Sequence, residues 1–275
     1  MKKIIKTWKL MMCMLIVFVG YECCHNSIYL ENTDATHLER QSFVLVFARA
    51  DFTKLTCDEK TGTCHPEMLS VAAKGSSVVV NHHDNETYIA SVAHICIINP
   101  PRVFTNGIPP LSVKTDLKLT LYDLYGNSHE ATVLYTDVAN DICVMKSPGT
   151  WGKKVKIADE MPQPGEKVLN IAAPFGIWSP GMVPIFDGYY AGPDGTGNEF
   201  FTLPTRPGSS GSPIFNRDGE LIGLIHSASM MFENLGLGCK LENLKSALEA
   251  HAFVGSRSSR SYDHHNYYCH QCTLP

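Results

Sequence analysis

The chain has 275 residues, of which 44% are apolar and 18% charged, so it can fill a large folded core and is not disordered as a whole. Its 23 basic residues against 27 acidic ones give a net charge of −4, and four lysines fall in the first nine positions, which leaves the body more acidic still. A body of that charge is a poor polyanion binder, which sets nucleic acid aside as a partner. Ten cysteines at this length are unusual for a reducing compartment.

The first residues supply a reason. MKKIIKTWK is basic, and the apolar run Leu10 to Tyr21 follows it, the order of an export signal. Those twelve residues would rise only ~18 Å as a helix against a hydrocarbon core of ~30 Å, so spanning a bilayer would need Trp8 and its neighbours as well. No small-x-small cleavage site follows, because Phe18 stands two places before Gly20. Residues 1–40 therefore read as an export signal or membrane anchor plus linker. Membrane association would run through residues 8–21, and the rest would lie on the periplasmic, extracellular or lumenal side.

From Gln41 onward, short apolar or alternating runs are separated by turn residues. Ser42–Ala50, Leu69–Val80, Thr87–Val92, Leu117–Leu124, Glu130–Thr136 and Ile142–Lys146 are predicted strands. Leu117, Leu119 and Leu121 alternate with Lys118, Thr120 and Tyr122, the period of two that puts one face on a core. After the turn-rich stretch Ser147–Gly165, a second set follows: Lys167–Ala172, Met182–Tyr190, Glu199–Leu203, Ser212–Phe215, Glu220–Ser227 and Gly236–Lys240. Only Leu241–His251 has helical spacing, with Leu241, Leu244, Ala247 and Leu248 on one face. The expectation is an all-β domain over 41–253, two six-stranded antiparallel barrels (41–147 and 148–253) closed by a C-terminal helix. Residues 254–275 are polar, rich in Ser, Arg and Tyr, and read as a tail. Its Cys269-x-x-Cys272 beside His264, His265 and His270 is a weak zinc signature against a solvated tail or a local disulfide, so neither metal nor cofactor is assigned.

Arg206-Pro-Gly-Ser-Ser-Gly-Ser-Pro-Ile-Phe215 carries the most chemical information. A nucleophilic serine needs a backbone that exposes its hydroxyl and turns N–H groups towards a developing oxyanion, and flanking glycines make such a turn sterically cheap. Gly208, Ser209, Ser210 and Gly211 provide that setting, although alone they would equally make a plain loop. The serine also needs an imidazole, itself oriented by a carboxylate. Of twelve histidines, His94 stands out at the apolar end of Tyr88-Ile-Ala-Ser-Val-Ala-His-Ile-Cys96. Asp141 directly precedes an apolar strand that would bury it, and buried carboxylates are seldom left unpaired.

These motifs together resemble the trypsin-like serine peptidases of chymotrypsin fold, in particular the bacterial HtrA-type and glutamyl-endopeptidase branches. Ala90-Ser-Val-Ala-His94 is similar to the family's Thr-Ala-Ala-His. Asp137-x-x-x-Asp-Ile-x-Val-Met145 is similar to Asp-x-x-x-Asp-Leu-Ala-Val-Leu, and Pro207-Gly-Ser-Ser-Gly-Ser-Pro213 to Pro-Gly-Asn-Ser-Gly-Ser-Pro. Gly75-Ser-Ser-Val-Val, Ala173-Pro-Phe-Gly176 and Gly219-Glu-Leu-Ile-Gly223 add to the match, which runs from about Val71 to Leu248. The resemblance implies a serine endopeptidase acting on protein or peptide substrates. Ser210 would be the nucleophile, His94 the general base and then acid, Asp141 the group that orients the imidazole, and the Gly208 and Ser210 N–H groups the oxyanion hole. Ser209 replaces an aspartate that pairs with a freed N-terminus in digestive relatives, and Cys143 replaces a usual alanine. A catalytically weak or inactive scaffold with the same double barrel is the alternative.

The resemblance also places the primary substrate pocket on the strand after the nucleophile loop, at His226, Ser227 and Ala228. Glutamate-selective relatives hold the substrate carboxylate with a histidine there, but one residue earlier, where this chain has Ile225. A slip of one residue turns a side chain to the other face. His226 thus lines the pocket or faces Asp141, and Ser227 and Ala228 suit a small or medium apolar residue before the cut. Among the thiols, Cys57 and Cys64 bracket a polar turn that a disulfide would close. Cys96 and Cys143, each two residues past His94 or Asp141, form either a disulfide or a pair of buried thiols.

Overall fold

A computed structural model describes residues 39–58, 60–105, 113–195, 197–229, 232 and 234–254. The export segment and the cysteines and histidines of the tail lie outside them. Six strands, β1 (Phe43–Cys57), β2 (Cys64–His83), β3 (Glu86–Ser91), β4 (Lys114–Asp123), β5 (Ser128–Asp137) and β6 (Ile142–Pro148), close into an antiparallel barrel in the order β1-β2-β3-β6-β5-β4. After a two-residue strand β7 (Lys156–Ile157) come β8 (Lys167–Ile171), β9 (Ile185–Pro193), β10 (Asn198–Phe201), β11 (Pro213–Phe215), β12 (Glu220–Ala228) and β13 (Gly236–Cys239). These run β11-β8-β9-β10-β13-β12, and the β11–β12 pairing closes the second barrel, with β7 added in parallel outside β12. This is the chymotrypsin-type double barrel with its C-terminal helix.

The strands at the seam are buried on both faces, which explains why their sequences are apolar runs rather than strict alternations. In β1, Val44, Val46 and Ala48 fill the first barrel, while Phe43 and Leu45 join a second cluster shared with the other barrel. In β6, Cys143 and Met145 point inward and Ile142 and Val144 outward to that shared cluster. In β12, Ile222 and Ile225 fill the second barrel while Leu221 and Leu224 join Phe43, Val78 and Phe215 at the seam. Two single helical turns, α1 (Ala93–Cys96) and α2 (Arg102–Thr105), interrupt the first barrel. Helix α3 (Leu241–His251) buries Leu241, Leu244, Ala247 and Leu248, the face its spacing indicates, and leans on β5, β6 and β12.

Two differences from the sequence expectation matter for the site. Leu69–Val80 and Ser42–Ala50 are parts of one long hairpin, in which β1 and β2 continue to Cys57 and Cys64. Polar residues and Pro66 hide that extension from a periodicity argument. The strand expected from Met182 begins only at Ile185, because Met182 and Ser179 exchange backbone hydrogen bonds in a tight turn (2.7 and 3.1 Å). Disulfides join Cys57 to Cys64 and Cys96 to Cys143, with Cα separations of 3.9 and 6.4 Å. By loop-closure entropy, the bridge that encloses 47 residues contributes about 4 kcal/mol and the 7-residue one about 2 kcal/mol. Such bonds belong to an oxidising compartment. No described helix is long and apolar enough to cross a membrane.

Candidate active site

His94 sits on the single turn α1, and Asp141 immediately precedes β6. The first N–H groups of a helix have no partner within it, and Asp141 supplies one: its Oδ1 accepts the His94 backbone N–H at 2.9 Å. Its Oδ2 meets His94 Nδ1 at 2.7 Å, so one carboxylate fixes both the ring and the backbone that carries it. Asp141 has a φ of +52°, a left-handed conformation that aspartate tolerates better than most side chains. The Asp137 side chain braces this turn by accepting the Ala139 and Asn140 N–H groups, each at 3.0 Å, and the Asn140 side-chain amide at 2.6 Å. Asn140 in turn accepts from Asn243 of α3 at 2.6 Å, which ties the helix of one barrel to the turn of the other. The Cys96–Cys143 disulfide bolts α1 to β6 just beyond both residues.

Burial pushes the Asp141 carboxyl up, but the two hydrogen bonds from His94 and the charges of His94 and His226 outweigh it, and the group lies below the ordinary carboxylate range. Asp141 therefore carries its negative charge at neutral pH, where it favours a proton on His94 Nδ1.

The nucleophile loop is held across the barrel seam by Ser76. Its N–H donates to Ser210 O at 2.8 Å, its hydroxyl donates to Gly208 O at 2.9 Å, and the same hydroxyl accepts from the Ala173 N–H at 3.1 Å. Pro207 O accepts from Phe175 N–H at 2.6 Å, and Gly211 N–H donates to Ile225 O at 2.6 Å. Ser209 is fully buried and its N–H closes a turn onto Arg206 O at 2.8 Å, so no ion pair occupies the place where digestive relatives have one. Within this loop the N–H groups of Ser209, Gly211 and Ser212 are all engaged, whereas those of Gly208 and Ser210 donate to nothing among the described residues. Gly208 has φ +98°, and a Cβ there would stand 2.5 Å from Ala173 O, so only glycine fits.

A Cβ on Gly75 would lie 3.0 Å from both Ser210 O and Ile95 Cγ1, which places the nucleophile loop and α1 against the same strand. No hydrogen bond joins Ser210 Oγ to the His94 ring. A β-bulge between Ile225 and Ser227 puts His226 out of the regular ladder against β13. Its ring is half-buried, and burial makes it less basic than usual, opposed by the negative charge of Asp141 and by the Gly238 backbone. Ser227 is exposed and Ala228 half-buried on the same strand.

Sequence reasoning picked out His94, Asp141, Ser210 and the two glycines, but missed the parts that hold them. Ser76 lies in a motif noted only as a family match, and Asn140 and Asn243 carried no signal, since their contact joins residues 103 apart.

Residues 75–224, more than half of the chain, match the family model described as a trypsin-like peptidase domain. Among solved structures, the fold is similar to a serine endoprotease from Yersinia pestis, with TM-score 0.57 and 18% identity over 79% of this chain; the chain spans 65% of that relative's length. It is also similar to Rv3671c from M. tuberculosis, a serine-to-alanine mutant in an inactive form, with TM-score 0.53 and 15% identity over 83% of this chain and 95% of that one. No curated protein matches the sequence significantly.

Proposed function

Since the chain belongs to the trypsin-like peptidase domain family, we propose that it is an exported serine endopeptidase that cuts protein or peptide substrates through Ser210, His94 and Asp141. The observation that carries this reading is the double grip of Asp141 on His94. With Nδ1–H committed to the carboxylate, the ring's other nitrogen, Nε2, is the acceptor, as a general base for serine requires.

In this mechanism His94 Nε2 takes the Ser210 proton as Oγ attacks the substrate carbonyl. The oxyanion that forms is met by the Gly208 and Ser210 N–H groups, which donate to nothing else among the described residues. His94 then gives its proton to the leaving amine, and water repeats the sequence on the acyl-enzyme. Closing the Ser210–His94 hydrogen bond is assigned to substrate binding, a tightening common in sites of this kind. Asp141 stabilises the imidazolium without itself taking the proton. Ser227 and Ala228 are the pocket wall in this reading and favour a small or medium apolar residue before the cut. His226 is a positioning residue behind Asp141. Export is supported by the two disulfides together with the basic and apolar N-terminus.

A fluorophosphonate probe is the direct test. Labelling of Ser210 that disappears in Ser210→Ala and drops steeply in His94→Ala is the expected outcome. A folded protein that takes no label at Ser210 would instead be the inactive scaffold.

A further inference from the structure

Asn170 stands where the second barrel is otherwise apolar. It lies on β8, and since alternate residues of a strand share a face, it points with Val168 into the barrel. Its antiparallel neighbours Phe186 and Ile214 pack in the same cluster. The Asn170 side chain is fully buried. Its amide nitrogen donates to Ser212 Oγ at 2.8 Å and to Pro213 O at 2.9 Å. A carbonyl oxygen can only accept, so Pro213 O fixes which end of the amide faces the nucleophile loop. Both amide hydrogens are thereby spent on the two residues that follow Gly211. The amide oxygen is left buried, with no donor among the described residues. An apolar side chain would avoid that cost, and a buried polar group met on one side only marks a functional demand rather than packing.

What this amide holds is the exit of the nucleophile turn. Ser212 N–H donates to Ser209 O, and Ser212 O accepts from Ile225 N–H, both at 2.9 Å. Ser209 O and the Ser210 N–H belong to one peptide group, and in a trans peptide they point in opposite directions. Pinning Ser209 O to Ser212 therefore aims the Ser210 N–H away from Ser212, where it has no other partner among the described residues. The contacts run from Asn170 to the Ser212 side chain, from the Ser212 N–H to Ser209 O, and across one rigid plane to the Ser210 N–H. Ser76 of the first barrel holds the entry of the turn through Gly208 O and Ser210 O. Asn170 is the corresponding hold from the second barrel.

We infer that Asn170 is a positioning residue of the oxyanion turn: acting through the Ser212 side chain, it fixes the peptide plane that aims the Ser210 N–H at the developing oxyanion. It touches neither the substrate nor the reacting atoms. A donor of this kind is effective only if it is held in place before the charge forms, because any reorientation during the reaction adds to the barrier. Substrate binding makes no such demand, since the ground-state carbonyl carries little charge. Loosening the turn should therefore lower kcat and leave KM nearly alone.

The inference rests on the peptidase reading, and the experiment keeps the two apart. Asn170→Leu keeps the branched shape without the donors, Ser212→Ala removes the acceptor, and both are compared with the double variant and the parent. Active protein is counted by its fluorophosphonate-labelled sites. In each single variant kcat per labelled site should fall roughly 10–100-fold with KM nearly unchanged. Inhibition by a peptide aldehyde, whose hemiacetal oxygen takes the oxyanion place, should weaken by the same factor, while inhibition by the matching peptide alcohol should not. The double variant should lose no more than either single one, because both act on one contact. A purely structural role would instead reduce the number of labelled sites and leave the rate per site and the aldehyde-to-alcohol ratio as in the parent; that result overturns the inference. Should Asn170→Leu fail to fold, Ser212→Ala decides alone, and a rate per site within about threefold of the parent overturns the inference while the peptidase reading stands. A parent protein that takes no label refutes the peptidase reading, and the inference with it.

Discussion

Asp141→Asn isolates the orienting role of the carboxylate, because the structure dictates which way the new amide must face. The His94 backbone N–H, 2.9 Å from Oδ1, can only donate, so the amide oxygen must take that place. The NH₂ then falls opposite His94 Nδ1, where Oδ2 now stands at 2.7 Å, and Nδ1 is forced to accept. The ring proton moves to Nε2, the atom that must accept the proton of Ser210. A rate loss of ~10⁴ is expected from the wrong tautomer, equivalent to about 5 kcal/mol of transition-state stabilisation. Folding should persist, since asparagine tolerates the left-handed φ of +52° at least as well as aspartate. The assay is kcat on a peptide amide beside a thermal melt, with Asp141→Ala as a companion that removes both acceptors. A folded Asp141→Asn enzyme within tenfold of the parent would refute the claim that this carboxylate sets the His94 tautomer.

His226→Ala should lower kcat several-fold for all peptides alike, with the residue preference before the cut unchanged; a selective loss on glutamate peptides would place the ring in the pocket instead. Glu39, only 6% exposed, has its carboxyl pushed up by burial from 4.5 to about 7, with Lys153 pulling weakly the other way. A raised acid pKa means that the folded state holds the proton more tightly. Its contribution to stability is full below about 4.5 and is lost as pH rises through about 7. Glu39→Gln, which stays neutral, should therefore melt above the parent at pH 8, by up to about 3 kcal/mol, and match it at pH 4; equal melts at pH 8 would show that the carboxylate is solvated.

The strand set was legible because each barrel strand is bounded by turn residues, and burial on both faces at the seam only strengthens the apolar signal in stretches such as Ile142–Met145. What periodicity cannot carry is length beyond the core. Residues 54–57 and 64–68 continue the hairpin on backbone bonds, a disulfide and the Lys54–Glu67 pair, none of which imposes an apolar period. The single turns α1 and α2 are likewise too short to show 3.6-residue spacing.

The candidate site was legible for a different reason: a nucleophile, a base and an orienting acid must each have particular atoms, so few residue types serve, and the structure brings His94 and Asp141 of that set into contact. Their support is not so restricted. Ser76 satisfies two carbonyls of the nucleophile loop and the Ala173 N–H beside it from the far side of the seam, and any small hydroxyl in that register would do the same. The same holds for Asn140 with Asn243, and for Cys96 with Cys143, whose spacing fits a buried thiol pair as well as a bond until the two strands are side by side. Register between strands decides these contacts. A bulge at His226 shows how little it takes: one extra residue in β12 shifts the ladder against β13, and register alone decides which face such a side chain takes. Contacts around the candidate site therefore depend on a feature that leaves no mark on local composition, whereas the residue types proposed for catalysis do.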